Sequence, residues 1–280
     1  MIDWDDVRFF LAVARGGSVR SAGESLGVNH STVLIQTLGR NILTDPIWSQ
    51  RASPVSFAGP KRFRQPGIAF DQLPRLDTIL ISHNHYDHLD IPTLKRIWAR
   101  DRPSIYCPLG VAGLLRAIGF QEVVELDWWQ DHGRPEMRIH CVPAQHFSSR
   151  TPFDRNRALW CGWVLEAAAG NVYIAGDTGF GSHFEAIRGR LAPIRLALLP
   201  IGAFKPEWFM GPVHMGPDEA VEAHKILEAK ASVAIHYGTF ALADDGQEEA
   251  VERLRSILSS IGQPDLIWVL EEGAGRNIPE

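Results

Sequence analysis

Short apolar runs separated by polar turns dominate the chain from residue 31 onward, and this pattern predicts β-strands. Two of these runs, STVLIQT and RNILTDP, flank a turn at Gly39 and predict a hairpin. The later strand-like runs are DTILIS, SIYC, VVEL, MRIHCVP, LWCGWVLE, NVYIAG, LALLP, SVAIH and LIWVL. Helical periodicity lies between some of them, near residues 91–100, 110–118, 217–229 and 247–261. Strands with interleaved helices predict a layered α/β fold.

The first 30 residues have a helical pattern instead. One apolar helical face is formed by Trp4, Val7, Phe10, Leu11 and Ala14. The glycines at 16 and 17 end this helix, and Ser18 caps a second one that ends at Gly27. We therefore expect a short helical segment over residues 1–29 and an α/β domain over residues 30–280. A long surface loop rich in Pro, Gly and Arg is expected over residues 46–74.

Composition limits the classes of function. The 280 residues are 45% apolar and 22% charged, which is ordinary for a globular protein, and the net charge of −5 gives no reason to expect nucleic-acid binding. Cys107, Cys141 and Cys161 are widely spaced, so we expect buried thiols in a reducing compartment rather than a disulfide framework. Because the chain has neither a signal-peptide pattern nor an apolar run of membrane-spanning length, we expect a cytoplasmic protein, with peripheral membrane contact left open.

The strongest chemical signal is the stretch ILISHNHYDHLD. An apolar strand ends at Ser82, and four side chains with nitrogen or oxygen donors follow at once: His83, His85, Asp87 and His88. In an extended chain His83 and His85 point to the same side, and the following turn brings the other two back towards them. Imidazole and carboxylate donors suit zinc or another borderline divalent ion. A single histidine is more often structural, but so dense a cluster favours a metal site.

Three further donors stand at the C-terminal ends of apolar strands: His146, Asp177 and His236. Each of them, taken singly, is explained equally well by a structural role. An α/β sheet usually places its site at that end of its strands, so their shared position favours one common site. Two divalent ions there would lower the pKa of a bridging water enough to give hydroxide near neutral pH. No serine or cysteine nucleophile is then needed.

These residues resemble the metallo-β-lactamase superfamily, in which HxHxDH is followed by a later His, Asp and His. The resemblance narrows to the N-acylphosphatidylethanolamine-hydrolysing phospholipase D family over about residues 30–275. The segments that carry it include LTDPIWSQRASPVSFAGPKRF, LISHNHYDHLD, ELDWW, PAQHFSSRTPFDRNRALWCGW, AGDTGFGSHF, LLPIGAFKPEWFM, VHMGPDEAV and IHYGTFALADD. The resemblance implies an αββα metallo-β-lactamase sandwich with the metals at one edge, preceded here by the short helical segment.

The resemblance also implies two zinc ions, although other divalent metals would suit the same donors. His83, His85 and His146 would bind the first ion, Asp87, His88 and His236 the second, and Asp177 would bridge the two. The implied reaction is phosphodiester hydrolysis of N-acylphosphatidylethanolamine-like lipids by the bridging hydroxide. Asp87 would orient the hydroxide or pass a proton to the leaving oxygen. His214 in GPVHMGP resembles a family position near the substrate phosphate, and the alternative is a structural loop histidine.

Other features give weaker expectations. The cations Lys61, Arg62 and Arg64 predict a solvated loop face, with contact to a phosphate or anionic head group as the alternative. The pairs Trp128–Trp129 and Trp208–Phe209 predict core packing, with acyl-chain contact as the alternative if they are exposed. We expect a phospholipid or small phosphodiester as the substrate. We do not expect the protein to bind nucleic acid. A homodimer is the oligomeric state that we consider beside the monomer.

Residues 1–33 resemble the N-terminus of LysR-type regulators, in which a helix-turn-helix binds DNA. The resemblance stops at Val33, where a strand-like run replaces the rest of the recognition helix. We therefore interpret residues 1–29 as a truncated helix-turn-helix-like segment joined to a hydrolase that lacks its usual first strand. Loss of that strand would expose the edge of STVLIQT, unless the apolar face of helix 4–14 covers it.

Three alternatives compete with a phospholipase D-type hydrolase. The same scaffold could act on another ester, lactone, thioester or phosphodiester. The chain could be a DNA-binding regulator with a retained metallo-hydrolase-like domain, but arginines and acids balance within residues 1–40, and DNA binding needs a net basic face. It could also be a fusion product without activity.

Overall fold

Two seven-stranded sheets face each other, and helices cover the outer face of each sheet. The computed structural model describes residues 8–11, 31–134, 136–168 and 170–277. Within these residues, six α-helices and the two sheets form the αββα sandwich that the sequence predicts.

The first sheet contains strands from the N-terminal half and one strand from the C-terminus. They are β1 (Arg8–Leu11), β2 (Val33–Thr37), β3 (Arg40–Thr44), β4 (Thr78–Leu80), β5 (Ser104–Pro108), β6 (Val123–Leu126) and β14 (Gly275–Asn277). Their spatial order is β14-β1-β2-β3-β4-β5-β6. Neighbours pair antiparallel from β14 to β3 and parallel from β3 to β6.

The second sheet contains the remaining strands in the reverse of their chain order. They are β7 (Asp131–Arg134), β8 (Met137–Val142), β9 (Gly162–Glu166), β10 (Asn171–Ile174), β11 (Ile194–Pro200), β12 (Ala231–Ile235) and β13 (Ile267–Trp268). Pairing is antiparallel from β7 to β10 and parallel from β10 to β13. The nine later runs that the sequence predicts as strands all contain one.

The helices pack on the outside of the sandwich. They are α1 (Ile91–Asp101), α2 (Ala112–Ala117), α3 (His183–Leu191), α4 (Glu207–Met210), α5 (Pro217–Leu227) and α6 (Glu249–Ser260). The predicted helices are confirmed by α1, α2, α5 and α6. The sequence did not predict α3 and α4. Only Phe184 and Ile187 of α3 are buried, so its apolar stripe is too narrow to stand out in the sequence. No helix within the described ranges is long and apolar enough to cross a membrane.

Three apolar layers hold the sandwich together. Successive side chains of a strand point to opposite faces, so Leu80 faces the second sheet while Ile79 packs beneath α1 and α2. Trp163 fills the layer between the sheets, and Phe184 and Leu254 fill the layer outside the second sheet. The three cysteines are free and buried, which confirms the prediction of buried thiols.

The front of the chain differs from the predicted helix. Residues Arg8–Leu11 pair antiparallel with β2, and β14 pairs with their other side. The predicted helix over residues 4–14 is therefore wrong at these positions, and β2 does not have the exposed edge that we expected. Strand β1 therefore occupies the position beside β2 where we expected the usual first strand to be absent. The second predicted helix, residues 18–27, lies outside the described residues.

The hairpin and the long loop agree with the sequence. Leu38 and Gly39 have φ values of 49° and 67°, which suit a tight turn between β2 and β3. The loop over residues 46–74 contains one short 3₁₀ turn, Phe70–Gln72. The solvated position expected for Arg62 in this loop is wrong. Arg62 is buried and donates hydrogen bonds to the carbonyls of Ile47 and Ser49.

The two sheets come very close together at one edge, and Gly176 permits this. Its φ is +64°, and a Cβ at this position would lie 2.7 Å from the Cβ of Ser82. Ser82 follows β4 of the first sheet, and Gly176 follows β10 of the second. A side chain here would force apart the two strand ends that precede His83 and Asp177.

Replacing Gly176 with alanine should lower the free energy of unfolding by about 1–3 kcal/mol, because the change adds a strained φ and a collision with Ser82. Chemical denaturation measures this. Gly189→Ala is the control, since Gly189 lies within α3 with open space around it, and alanine there should be neutral or stabilise by about 0.5–1 kcal/mol. Equal stability of Gly176→Ala and the unsubstituted protein would contradict the close approach.

Candidate metal centre

Seven ionisable side chains meet at the edge of the sandwich where strands of both sheets end. The turn after β4 carries four of them, and the loops after β8, β10 and β12 carry one each. In that order they are His83, His85, Asp87, His88, His146, Asp177 and His236. All are buried except His85, which is half-buried. The structure therefore brings together every residue that the sequence suggests as a ligand, and their ligand role stays a prediction.

The first group contains three imidazoles, those of His83, His85 and His146. The Nδ1 atom of His85 lies 2.8 Å from His83 Nε2 and 3.3 Å from His146 Nε2. Zinc binds histidine nitrogen at about 2.0–2.1 Å, which separates two ligands of a tetrahedral site by roughly 3.3 Å. The spacing within the group suits one zinc-sized ion.

The second group combines two carboxylates, Asp87 and Asp177, with His88 and His236. His88 Nε2 lies 3.2 Å from Asp87 Oδ2 and 3.1 Å from Asp177 Oδ2. His236 Nε2 lies 3.6 Å and 3.0 Å from the same two oxygens. Two negative and two neutral donors at this spacing suit a second divalent ion.

One carboxylate lies between the two groups. Asp177 Oδ2 is 3.9 Å from His83 Nε2 and 3.8 Å from His146 Nε2, as well as being close to the second group. Its other oxygen, Oδ1, is buried and has no hydrogen-bond partner among the described residues. A buried carboxylate oxygen without a partner is costly unless a cation binds it. The donor set and this oxygen together fit a bridged pair of metal ions.

A hydrogen-bond chain fixes the orientation of two candidate ligands, His83 and His88. His88 Nδ1 donates to Asp45 Oδ2 at 2.8 Å, and Ser82 Oγ donates to the same oxygen at 2.7 Å. The hydroxyl hydrogen of Ser82 is used in this way, so Ser82 Oγ accepts the hydrogen bond from His83 Nδ1 at 2.9 Å. The Nε2 atoms of His83 and His88 are therefore the ones that face the centre and can bind metal.

His146 is oriented by backbone. Its Nδ1 donates to the carbonyl of Val213 at 2.9 Å, so its Nε2 faces the first group. Sequence reasoning did not identify Asp45, Ser82 or Val213. Asp45 directly follows β3, so the rule that found the other strand-end residues would have found it too. A backbone carbonyl such as that of Val213 leaves no signal in the sequence.

The pKa values of the first group favour neutral rings. Burial lowers the pKa of His83 and His146 well below the usual histidine value, and neighbouring imidazoles add to the effect. Burial also lowers the pKa of His85. Neutral imidazole is the form that binds a metal ion, so this group is ready to do so at physiological pH.

The second group instead attracts positive charge. Burial opposes protonation of His88 and His236, but the carboxylates outweigh it: they raise the pKa of His88 well above its usual value and that of His236 to about 9. Although burial opposes its ionisation, Asp177 has a pKa well below the usual value because His236 and His88 lie beside it. A divalent ion would supply the same positive charge in place of these protons.

His214 lies beside both groups. Its ring centroid is 4.9 Å from that of His146 and 5.3 Å from that of His236, on which it stacks. Burial lowers its pKa to about 4, so the ring is neutral at physiological pH. Its Nδ1 is buried and has no hydrogen-bond partner in the described part of the chain. The structure thus brings His214 to the centre, and its role in substrate binding stays a prediction.

Comparison with known proteins gives the family. The model of the β-lactamase superfamily domain matches residues 40–237, a span that includes all seven clustered residues. The chain belongs to the β-lactamase superfamily. The resemblance of residues 1–33 to a LysR-type helix-turn-helix is not borne out, since Arg8–Leu11 is a strand of the first sheet.

Named relatives within the superfamily narrow the comparison. The chain is 42% identical over 228 residues to N-acyl-phosphatidylethanolamine-hydrolyzing phospholipase D 1 of Caenorhabditis elegans, covering 77% of this chain and 64% of the relative. It is 35% identical over 242 residues to the mitochondrial enzyme of that name from Saccharomyces cerevisiae, covering 84% of this chain and 52% of the relative. The chain thus spans between half and two thirds of the length of these two proteins.

A solved structure shares the fold. A metallo hydrolase from the archaeon Ignicoccus hospitalis matches with a TM-score of 0.68 and 22% identity, covering 98% of this chain and 99% of that one. At this identity the match supports the sandwich architecture alone.

Replacing Asp45 with asparagine should weaken metal binding about 10–100-fold, because the amide cannot accept hydrogen bonds as a carboxylate does and His88 loses its fixed orientation. Dialysis against chelators of graded strength, followed by mass spectrometry of the bound metal, measures this. Asp77→Asn is the control, since Asp77 precedes β4 and accepts a hydrogen bond from the backbone of Asn41. If Asp45→Asn keeps its metal as well as Asp77→Asn does, the orienting role is wrong.

Proposed function

We propose that this protein is a metal-dependent phosphodiesterase of the phospholipase D type, and that it hydrolyses N-acylphosphatidylethanolamine-like lipids with two divalent ions, zinc by preference. The observation that carries the proposal is the pair of ligand groups that share Asp177. The two curated relatives named after this activity support the choice of substrate. Phosphatidic acid and an N-acylethanolamine would be the products.

The side chains have separate roles in the proposed reaction. His83, His85 and His146 would hold one ion, Asp87, His88 and His236 the other, with Asp177 between them. Two divalent ions held by these residues would supply a water of lowered pKa and would stabilise the charge that develops on the phosphoryl oxygens. Asp87 is the group that we assign to proton transfer, because its side chain is the most exposed of the second group, with 10% of its surface accessible, and its Oδ2 lies 3.2 Å from His88 Nε2. It would orient the attacking water and pass a proton to the leaving oxygen.

His214 is the residue that we assign to substrate binding. The ring is neutral, so it would donate a hydrogen bond to a phosphoryl oxygen rather than supply charge. It stacks on His236, which places it next to the second group. A phosphate between the two ion positions would therefore lie within reach of this ring.

Exposed aromatic side chains support contact with a lipid surface. The most exposed ones are Phe57, Phe153, Trp208 and Phe209, with 80%, 85%, 82% and 63% of their surfaces accessible. The core packing expected for Trp208 and Phe209 is therefore wrong, whereas Trp128 and Trp129 do pack against the core. Trp208 and Phe209 belong to α4, and the turn after α4 supplies the carbonyl that orients His146. This position would let α4 touch the membrane while a lipid head group enters the site.

The test of the proposed function begins with metal content. Purified protein should bind about two zinc ions per chain, and Asp177→Ala should lose both because it removes the shared ligand. Asp71→Ala, which changes an exposed carboxylate, is the control. Light scattering on the same sample would show whether a homodimer forms. A folded chain that binds no divalent ion would rule the mechanism out.

Turnover is then measured on a panel of N-acylphosphatidylethanolamine, a lactone, a thioester, a carboxylic ester and a simple phosphodiester. We expect the first to be hydrolysed best, in a reaction that chelators abolish and that Asp87→Asn slows about 10²–10⁴-fold. Preference for another member of the panel would keep the metal mechanism and reject the proposed substrate.

Replacing both Trp208 and Phe209 with serine should weaken binding to phosphatidylcholine vesicles that contain phosphatidic acid by about tenfold, because two exposed aromatic side chains no longer enter the lipid. Co-sedimentation measures this, and metal content should not change. Ile261→Ser is the control, since Ile261 is an exposed apolar residue just beyond α6. Equal vesicle binding by the double variant and the control would reject the contact.

A further inference from the structure

Two segments carry five of the seven proposed ligands, and one arginine joins them. His83, His85, Asp87 and His88 lie in the turn 83–89, and His146 begins the loop 146–157. We propose that Arg150 is a positioning residue: it clamps the turn 83–89 to the loop 146–157 and so sets the distance between His146 and the other ligands of its group. This inference rests on the proposed metal function.

A single nitrogen of Arg150 holds both ends of the turn. Its Nη1 donates to the carbonyl of Asn84 at 2.8 Å and to the carbonyl of Leu89 at 3.0 Å. Asn84 lies between His83 and His85, and Leu89 directly follows His88. Both carbonyls belong to buried residues, so each needs a donor from within the protein. Hydrogen bonds from a charged donor are stronger than those between neutral groups, which suits a clamp on backbone that carries ligands.

The turn also donates a hydrogen bond to the loop. Tyr86, in the middle of the turn, donates its hydroxyl hydrogen to the carbonyl of Arg150 at 2.9 Å. The Arg150 guanidinium lies over the Tyr86 ring, 4.0 Å from its centroid. Asp154 fixes the loop itself by accepting hydrogen bonds from the backbone of Arg150 and Thr151. Two hydrogen bonds from the loop to the turn, one from the turn to the loop and a stacked pair therefore join the two segments.

The turn also has backbone hydrogen bonds of its own. The backbone amides of His88 and Leu89 both donate to the carbonyl of His85, at 3.2 Å and 2.8 Å. What Arg150 adds is a fixed position of the turn relative to the loop, and this controls the 3.3 Å separation between His85 Nδ1 and His146 Nε2. Loss of the clamp should therefore affect metal binding more than the stability of the metal-free fold.

Two substitutions separate hydrogen bonding from packing. Arg150→Met can still pack on the Tyr86 ring but cannot donate to the two carbonyls, whereas Arg150→Lys keeps a charged donor. Arg157→Met is the control, because Arg157 is an exposed arginine of the same loop. The measurements are zinc affinity by chelator competition, the absorption bands of the cobalt-loaded protein, and the denaturation midpoint of the metal-free protein.

We expect Arg150→Met to bind zinc about 10–100-fold more weakly and to shift the cobalt bands, with Arg150→Lys restoring most of the affinity and Arg157→Met unchanged. The denaturation midpoints of the metal-free variants should agree. Unchanged zinc affinity and cobalt bands in Arg150→Met would overturn the clamp alone. A loss of affinity matched by an equal loss of metal-free stability would also overturn it, in favour of a general role in folding. If the unsubstituted protein binds no zinc, the proposed function itself fails.

Discussion

The organisation of the site depends on one buried carboxylate oxygen, Oδ2 of Asp177. Four imidazoles point a ring nitrogen at it from distances between 3.0 and 3.9 Å. An ionised carboxylate this deeply buried is strongly destabilising unless positive charge lies next to it. The fold must therefore deliver donors from both sheets to one point, and the surrounding polar groups must keep those donors in a single orientation. Most of the unusual geometry near the site follows from this requirement.

Some of that geometry is unfavourable for the backbone. Asp45 and His236 have φ values of 35° and 59°, in a region that residues with side chains seldom adopt. Asp45 is held there by hydrogen bonds from Ser82 and His88, so the contacts that orient the ligands also offset the local strain. The clamp formed by Arg150 belongs to the same arrangement. Rigid strands supply the positions of the candidate ligands, and a small number of polar contacts between loops supply their alignment.

Sequence reasoning succeeded where local pattern and chain position carry the information. The residues from His83 to His88 and those at later strand ends were found because β-strands can be recognised from apolar runs and α/β sites lie at strand ends. Asp45 was overlooked although it too stands at a strand end, whereas Arg150 was missed because the carbonyls that it binds lie 61 or more positions away. At Arg8–Leu11 the helical periodicity misled us. Pairing with β2 determines the structure there, and such tertiary pairing regularly overrides local preference.

The position of β1 has a consequence for the order in which the sheet can assemble. It lies between β2, which follows it in the chain, and β14, which is formed by Gly275–Asn277. The ribosome makes proteins from the N-terminus, so β14 is synthesised after every other strand that the structure describes and after all seven clustered residues. Closing so long a loop is also entropically expensive. The outer side of β1 is therefore the last position in the first sheet to gain a hydrogen-bonded neighbour.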